Sequence, residues 1–492
     1  MRLRKQKKVV AVTLATAIAV STISASASAV SYDLADGDVT IGQDTDRGAF
    51  SYQGEDKEDK RTYVNEDKED DGKIIIKGDK DTPTENTVTV QEDVKKTDNA
   101  DGSEGRDVDI VIDGVNADTS KTGESTVTVG EGANVDLTVK DSTLTTGGNG
   151  IDIGKDLDGT DENKDTKVDL TLEDTTINQT NKNSAGLDVR QGSDVDLTLK
   201  GDNVIDGSAA IDSATKEGKK LTDSNINVEG IRVGGEVASD FSGAEKDAHL
   251  TIKGDKEETS DTTEETTGGS LTIKDTTTGM VIAGGSDEED SSVTITDGAD
   301  VTIQDTHVSG STQSGRGVTQ HGDLTLDGGS SLTIDGSHVG EDGKTHENGG
   351  IGIASWNDII VKAKSTLNIK NTKTGIYGHQ GASTSLTTEN STLNITNSDA
   401  GIRYEGSGTA KDGSKLEAAG DITFKDSDVT IEGKSLGIET GNNSDTTVTF
   451  DHTTAAVSAE LNANENDGKY AIYCEDSGKN GSLIVKNGSK LN

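Results

Sequence analysis

The sequence predicts an all-β chain folded as a right-handed parallel β-helix, a β-solenoid with three short strands per coil and variable loops. Three observations predict it. A triad of apolar, Thr or Asn, apolar recurs from Val127 to Ile431. The triads pair at spacings of seven or eight residues and are followed by a third apolar element, and Asp, Asn or Gly stands two residues beyond many of them. Short strands that repeat while the spacing between them varies suit a solenoid, where insertions fall in loops and each repeat buries its apolar face against its neighbours.

The triads give the strands. Leu137-Thr138-Val139, Leu170-Thr171-Leu172, Leu197-Thr198-Leu199, Val301-Thr302-Ile303, Leu332-Thr333-Ile334 and Leu393-Asn394-Ile395 are among them. Alternation of this kind turns the aliphatic side chains to one face of an extended segment and Thr to the other, so each triad reads as a half-buried strand. The outward Thr residues are placed for side-chain pairing between neighbouring strands.

The third element is a small residue or Gly before an apolar strand: Thr278-Gly279-Met280, Gly349-Gly350-Ile351, Thr374-Gly375-Ile376, Ala400-Gly401-Ile402 and Leu436-Gly437-Ile438. It begins nine residues after the second triad in the regular coils, as at 367 to 376, 393 to 402 and 429 to 438. Corners are marked by Asp141, Asp174, Gly201, Gly254, Asp275, Asp305, Gly336, Asn371, Asn397, Asp426 and Gly433. These types tolerate a left-handed backbone or bond to their own turn, which a tight corner requires.

The N-terminus is organised differently. Arg2, Arg4, Lys5, Lys7 and Lys8 precede the apolar run from Val9 to Val20, and Ser21 to Ala29 supplies small residues in A-x-A spacing. That arrangement predicts a secretory signal peptide over residues 1–29; the apolar run is short of the ~20 residues of a spanning helix. Without those five basic residues the chain carries 42 Lys and Arg against 90 Asp and Glu, a charge of −48. No later segment is apolar enough to span a membrane as a helix. Residues 30–105 read as an N-terminal capping region with acidic, partly disordered loops such as Gly54 to Gly72, and 106–492 as the β-helix proper. The last four residues, Ser489 to Asn492, match the start of Ser365-Thr366-Leu367-Asn368 and stop, which predicts an array truncated in mid-repeat.

Composition excludes several function classes. A formal charge of −43 repels a phosphate backbone, so nucleic acid is not an expected partner. Aromatic residues make up 2% of the chain, which is too few for a cleft that stacks sugars on many rings. An exported protein meets an oxidising environment, yet Cys474 is the single cysteine, so no intrachain disulfide forms; its place in the apolar run Tyr470 to Cys474 predicts a small buried hydrophobe.

With its three-strand coils and its Asx and Gly corners, the chain from about Arg106 onward resembles the right-handed parallel β-helix proteins of bacterial surfaces. That group includes adhesins, autotransporter-like passengers and the pectin-lyase-like enzymes. The resemblance implies the fold and is nearly silent on activity. No catalytic motif of the family is matched residue by residue.

Candidate chemistry is sparse. Asp156-Leu157-Asp158-Gly159-Thr160-Asp161-Glu162-Asn163-Lys164-Asp165 has oxygen ligands at alternate positions, as Ca²⁺ prefers, but Lys167 stands where a bidentate Glu would close the site. A solvated acidic loop with weak, generic divalent-cation binding is the expectation, with no cofactor and no defined metal site. Arg232 and Arg403 occupy equivalent places after Gly-Ile pairs, with Arg190 near the same strand class. Stacked on one face they suit an acidic sugar, while surrounding acids would neutralise them. His249, His307, His321, His338, His346, His379 and His452 are spread over different coils without metal spacing. Trp356 reads either as a sugar contact or as the filler of a corner. The functional expectation is a non-catalytic secreted or cell-surface adhesin, stalk or surface-coat component. Its partners would be host or environmental surface molecules, glycans among them. The alternative is a secreted polysaccharide lyase or glycoside hydrolase.

Overall fold

In the computed structural model the described residues are 29–44, 48–54, 62–63, 73–95, 108–159, 164–216, 226–234, 246–255, 269–284, 291–307, 315–339, 345–346, 350–379, 384–406, 408–409, 415–416, 420–441, 446–459, 469–474 and 481–492. They form a parallel β-helix. The expected signal peptide, apart from Ala29, and most of the acidic stretch Gly54 to Gly72 lie outside them.

From Asp109 to Cys474 each coil contributes one strand to each of three parallel sheets. In one coil these are Asn134–Lys140, Thr143–Thr146 and Ile151–Lys155, and in the next Thr166–Glu173, Thr176–Gln179 and Asn183–Val189. The first sheet runs unbroken through fourteen strands from Val30–Asp33 to Ser482–Lys486. The second and third sheets merge where Thr392–Tyr404 and Asp428–Thr440 continue through the corner between them. Register is kept coil to coil, with Leu137 beside Leu170 and Leu170 beside Leu197.

Parallel pairing begins well before residue 106. Val30–Asp33 pairs with Lys73–Lys77, which pairs with Asp109–Asp113. The N-terminal edge of the third sheet is covered by antiparallel strands, since Val39–Asp44 takes Gly48–Gln53 on one side and Val88–Val90 on the other. An antiparallel neighbour of this kind satisfies the row of N–H and C=O groups that an edge strand would leave open.

The core is a stack of aliphatic ladders, with Leu137, Leu170, Leu197, Ile303, Ile334 and Ile369 all buried. It holds few rings; Phe424 and Phe450 are fully buried and pack on one another at 5.0 Å. The glycines of the third element lie where two sheets come closest. A Cβ on Gly279 would stand 2.3 Å from Ile303 Cγ2, and one on Gly317 2.4 Å from Ile334 Cγ2. The Ile methyl of the second sheet occupies that space, so a side chain at Gly279 or Gly317 would clash with it.

At the corners Asp141, Asp174, Gly201, Asp275, Asp305, Asn371, Asn397 and Asp426 have positive φ. The amides of Asp141, Asp174, Asn371 and Asp426 still bond to the next coil, as in Asp141 N–H to the Glu173 carbonyl at 3.0 Å. Gly254, Gly336 and Gly433 are not left-handed. Backbone crowds them instead: a Cβ would lie 2.8 Å from Ala299 N at Gly254, 2.6 Å from Asn371 O at Gly336 and 1.7 Å from Leu436 O at Gly433.

The outer surfaces of the sheets differ. In the first and second sheets outward residues are half-exposed and charges pair between neighbouring coils, as in Lys73–Asp109 at 3.3 Å, Lys140–Asp113 at 3.2 Å and Lys370–Asp335 at 3.1 Å. In the third sheet the outward column is buried as well from Thr128 to Ala354, including Asp152, Asp188 and Val281. Val127-Thr128-Val129 therefore differs from the other triads: it belongs to the third sheet, and its Thr is covered.

Candidate functional site

The covered outer face of the third sheet carries the chain's concentration of buried charge. Parallel register places Thr89, Thr128, Asp152, Asp188 and Arg232 in one column on successive coils. Each occupies the outward place between two core aliphatics, as Asp152 does between Ile151 and Ile153, and Asp188 between Leu187 and Val189. A cavity of about 650 Å³ opens over this column; Thr89, Ser125, Thr128, Asn149, Asp152 and Arg190 contribute to its lining.

The floor is an ion-pair lattice. Arg190 donates to both oxygens of Asp152, Nε to Oδ1 at 2.6 Å and Nη2 to Oδ2 at 3.0 Å, and Nη2 stands 3.6 Å from Asp188 Oδ2. Arg232 donates from Nε to Glu229 Oε2 at 2.5 Å and from Nη1 to Asp188 Oδ2 at 3.4 Å. Asn149 Nδ2 donates to the same Asp188 oxygen at 2.8 Å, while Asn149 Oδ1 accepts from the Ala185 amide at 2.9 Å. Lys155 approaches Asp152 at 3.7 Å.

Asp188 and Glu229 do not line the cavity; they lie beneath the arginines and amides that do. Burial is the largest influence on Asp188 and pushes its carboxyl up to about 6. Arg232 and Arg190 pull it down, and Asp152 and Glu229 push it further up. Asp188 Oδ1 has no hydrogen-bond partner. The side chain therefore acts as a buried counterion that orients two guanidinium groups.

Arg232 and Arg403 do share one column, but five coil-to-coil steps separate them, through Val281, Thr319, Ala354 and Tyr377. At ~4.8 Å per strand that is about 24 Å, too far for one sugar unit. Arg403 pairs with Glu439 at 2.9 Å and is half-exposed. The structure instead joins Arg232 to Arg190 through Asp188. Sequence reading missed Asp152, Asp188 and Glu229. For Asp152 and Asp188 the signal is an acid between aliphatics in the third-strand position, where solvent-facing charge is otherwise unremarkable; Glu229, between Val228 and Gly230, lacks it.

Two further clusters involve residues singled out above. Trp356 stacks between His321, at 4.1 Å, and His379, at 3.6 Å, on successive coils. Both ring faces are covered, so Trp356 is not placed to stack on a sugar. Burial is the main cause that lowers the His321 pKa to about 4, with His379 and Arg316 adding to it. In the acidic loop, Glu92 Oε1 accepts from the Leu157 and Asp158 amides at 2.6 and 2.9 Å. Glu92, Asp156 and Asp158 each offer an oxygen within 4.8 Å of the others. Lys164 brings an ammonium to Glu92 at 3.4 Å and Asp93 at 3.3 Å, which supplies positive charge from the protein itself. Residues 160–163 of that loop lie outside the described residues.

Of the remaining histidines, His307 reaches Asp275 at 3.1 Å and His452 reaches Asp426 at 2.6 Å. Cys474 is half-buried, contrary to the expectation of a buried hydrophobe. Its strand pairs with Asp428–Thr440 in the last described coil of the third sheet.

No family model, no curated protein and no solved structure matches the chain. Among the described residues no helix is long and apolar enough to cross a membrane.

Proposed function

We propose that the chain is a non-catalytic secreted or cell-surface β-solenoid acting as an adhesin, stalk or surface-coat component. The observation that carries this reading is the state of the cleft's buried acids, Glu124 being an exposed acid of the same lining. Asp152, which faces the cavity, has both oxygens on Arg190, and Asp188 and Glu229 lie beneath the arginines they hold. A general acid or base must reach a substrate proton, and these carboxylates are turned to the protein instead. Pairing of outward charges between coils further supports a stiff spine that presents its loops and cleft to other surfaces. Export by the basic and apolar N-terminal segment fits the same reading.

The alternative, a polysaccharide lyase or glycoside hydrolase, draws on one feature, the raised pKa of Asp188 beside a second carboxylate. A turnover screen separates the two. The purified chain is incubated with acidic and neutral polysaccharides, with and without Ca²⁺, while unsaturated products and reducing ends are followed. No turnover is expected; turnover that disappears in Arg232→Ala or Asp152→Asn refutes the non-catalytic reading.

A further inference from the structure

We propose that the third-sheet cleft binds a neutral, polyhydroxylated chain, an oligosaccharide lying along the solenoid axis. The inference deepens the adhesive reading and rests on it.

Length comes first. The column from Thr89 through Thr128, Asp152 and Asp188 to Arg232 spans four coil-to-coil steps. At ~4.8 Å per step the floor is about 19 Å long, which gives room for several monomers of an extended polymer.

Lining chemistry selects the ligand. Thr89, Ser125, Thr128, Asn149, Asn183 and Asn227 face the cavity, and every one of these side chains can both donate and accept hydrogen bonds. Sugar hydroxyls have the same dual capacity, and so pair with such a surface whichever way each hydroxyl points. Leu157 is the one large apolar residue in the lining, so a ligand that depends on apolar burial finds little surface.

Charge decides between neutral and ionic ligands. Arg190, Arg232 and Lys155 already face Asp152, Asp188 and Glu229 at ion-pair distances. An ionic ligand that entered this lattice would have to compete with those contacts, and a partner left unpaired there is costly; the exposed Glu124 adds a negative charge to the lining, which further opposes an anionic ligand. The field of a chain with 90 acids against 47 bases also opposes an acidic polymer. Asp188 is a positioning residue here: it holds Arg190, Arg232 and Asn149 in place without touching the ligand.

Titration calorimetry on the full chain tests the proposal. Cellohexaose, mannohexaose and N-acetylchitohexaose are the neutral probes, and a galacturonate hexamer and a neutral Ser/Asn decapeptide are the comparators. At least one neutral hexamer is expected to bind. Affinity should fall about tenfold in Thr128→Val combined with Asn183→Ala, and stay unchanged in Thr302→Val, an outward Thr of the second sheet. Unchanged circular dichroism of each variant establishes that it is folded. Tighter binding of the galacturonate or the peptide overturns the proposal. So does neutral binding that the double variant leaves unchanged, or no neutral binding by the folded parent chain. Cleavage of a bound hexamer would refute the non-catalytic reading and leave the site; loss of binding without cleavage would do the reverse.

Discussion

Replacing Asp188 by Asn measures what it costs this fold to bury an ionised carboxyl. The folded-state value of about 6 lies above the ordinary 3.8, so the native chain holds a proton more tightly than the unfolded one. Stability from this group is therefore complete below about pH 3.8 and is lost as pH rises through about 6. A shift of that size corresponds to about 3 kcal/mol. Asn keeps the shape and cannot ionise, while Arg190 and Arg232 keep Asp152 and Glu229 as partners. The stability difference between Asp188→Asn and the parent should thus move by about 2 kcal/mol in the variant's favour between about pH 4 and pH 7. The difference removes the contributions of groups that do not interact with Asp188, such as His321, which titrates in the same range with the opposite sign. Long repeat arrays can unfold in parts, so amide exchange at Ile153 and Val189 is the local assay, with urea midpoints as the global one. A difference that stays constant with pH, or that grows toward acid, would refute the account of Asp188 as a desolvated counterion.

Four other perturbations follow from the same structure. Gly317→Ala places a methyl 2.4 Å from Ile334 Cγ2 and 2.6 Å from the Gly352 carbonyl, and should destabilise by about 1–3 kcal/mol by urea denaturation. Asn397→Ala loses the bond from Asn397 Nδ2 to Asn371 Oδ1 at 2.6 Å and must hold φ near +51° without an Asx side chain; a cost of about 1–2 kcal/mol is expected. Leu393→Ala empties part of the fully buried ladder and should cost about 2–5 kcal/mol, with exchange accelerated first in the coils that flank it. Trp356→Ala uncovers His321, whose pKa should rise from about 4 toward its ordinary 6.5 in an NMR titration; an unmoved value would show that the stack is not what buries it.

The triads were legible because a strand's side chains alternate with period two whatever lies across from them. Leu137, Leu170 and Leu197 announce their face in any context, and Asp174 or Asn397 announces a corner, since few other residues tolerate that backbone. The same local rules stop at the third sheet. Thr128 reads as outward and solvated, yet it is buried, because the alternation of a strand says which side a residue faces and not what covers that side. Gly279, Gly375, Gly401 and Gly437 were legible as a signature, while Gly317 was not and Gly352, not Gly350, is their equivalent in the intervening coil. The cause, the facing methyl of Ile303 or Ile334, belongs to a different strand.

The sequence by itself determined the class of fold, the three-strand coil, the ladders of the core and the place of most corners, because all of these depend on residues adjacent in the chain or one coil apart. Only the tertiary structure decided the cleft. Asp152, Asp188 and Arg232 are separated by 36 and 44 positions, across loops whose lengths follow no rule, and meet because parallel register stacks equivalent positions one strand spacing apart. Burial then gives Asp188 its raised pKa and ties Arg190 and Arg232 to it, a property that no single coil possesses.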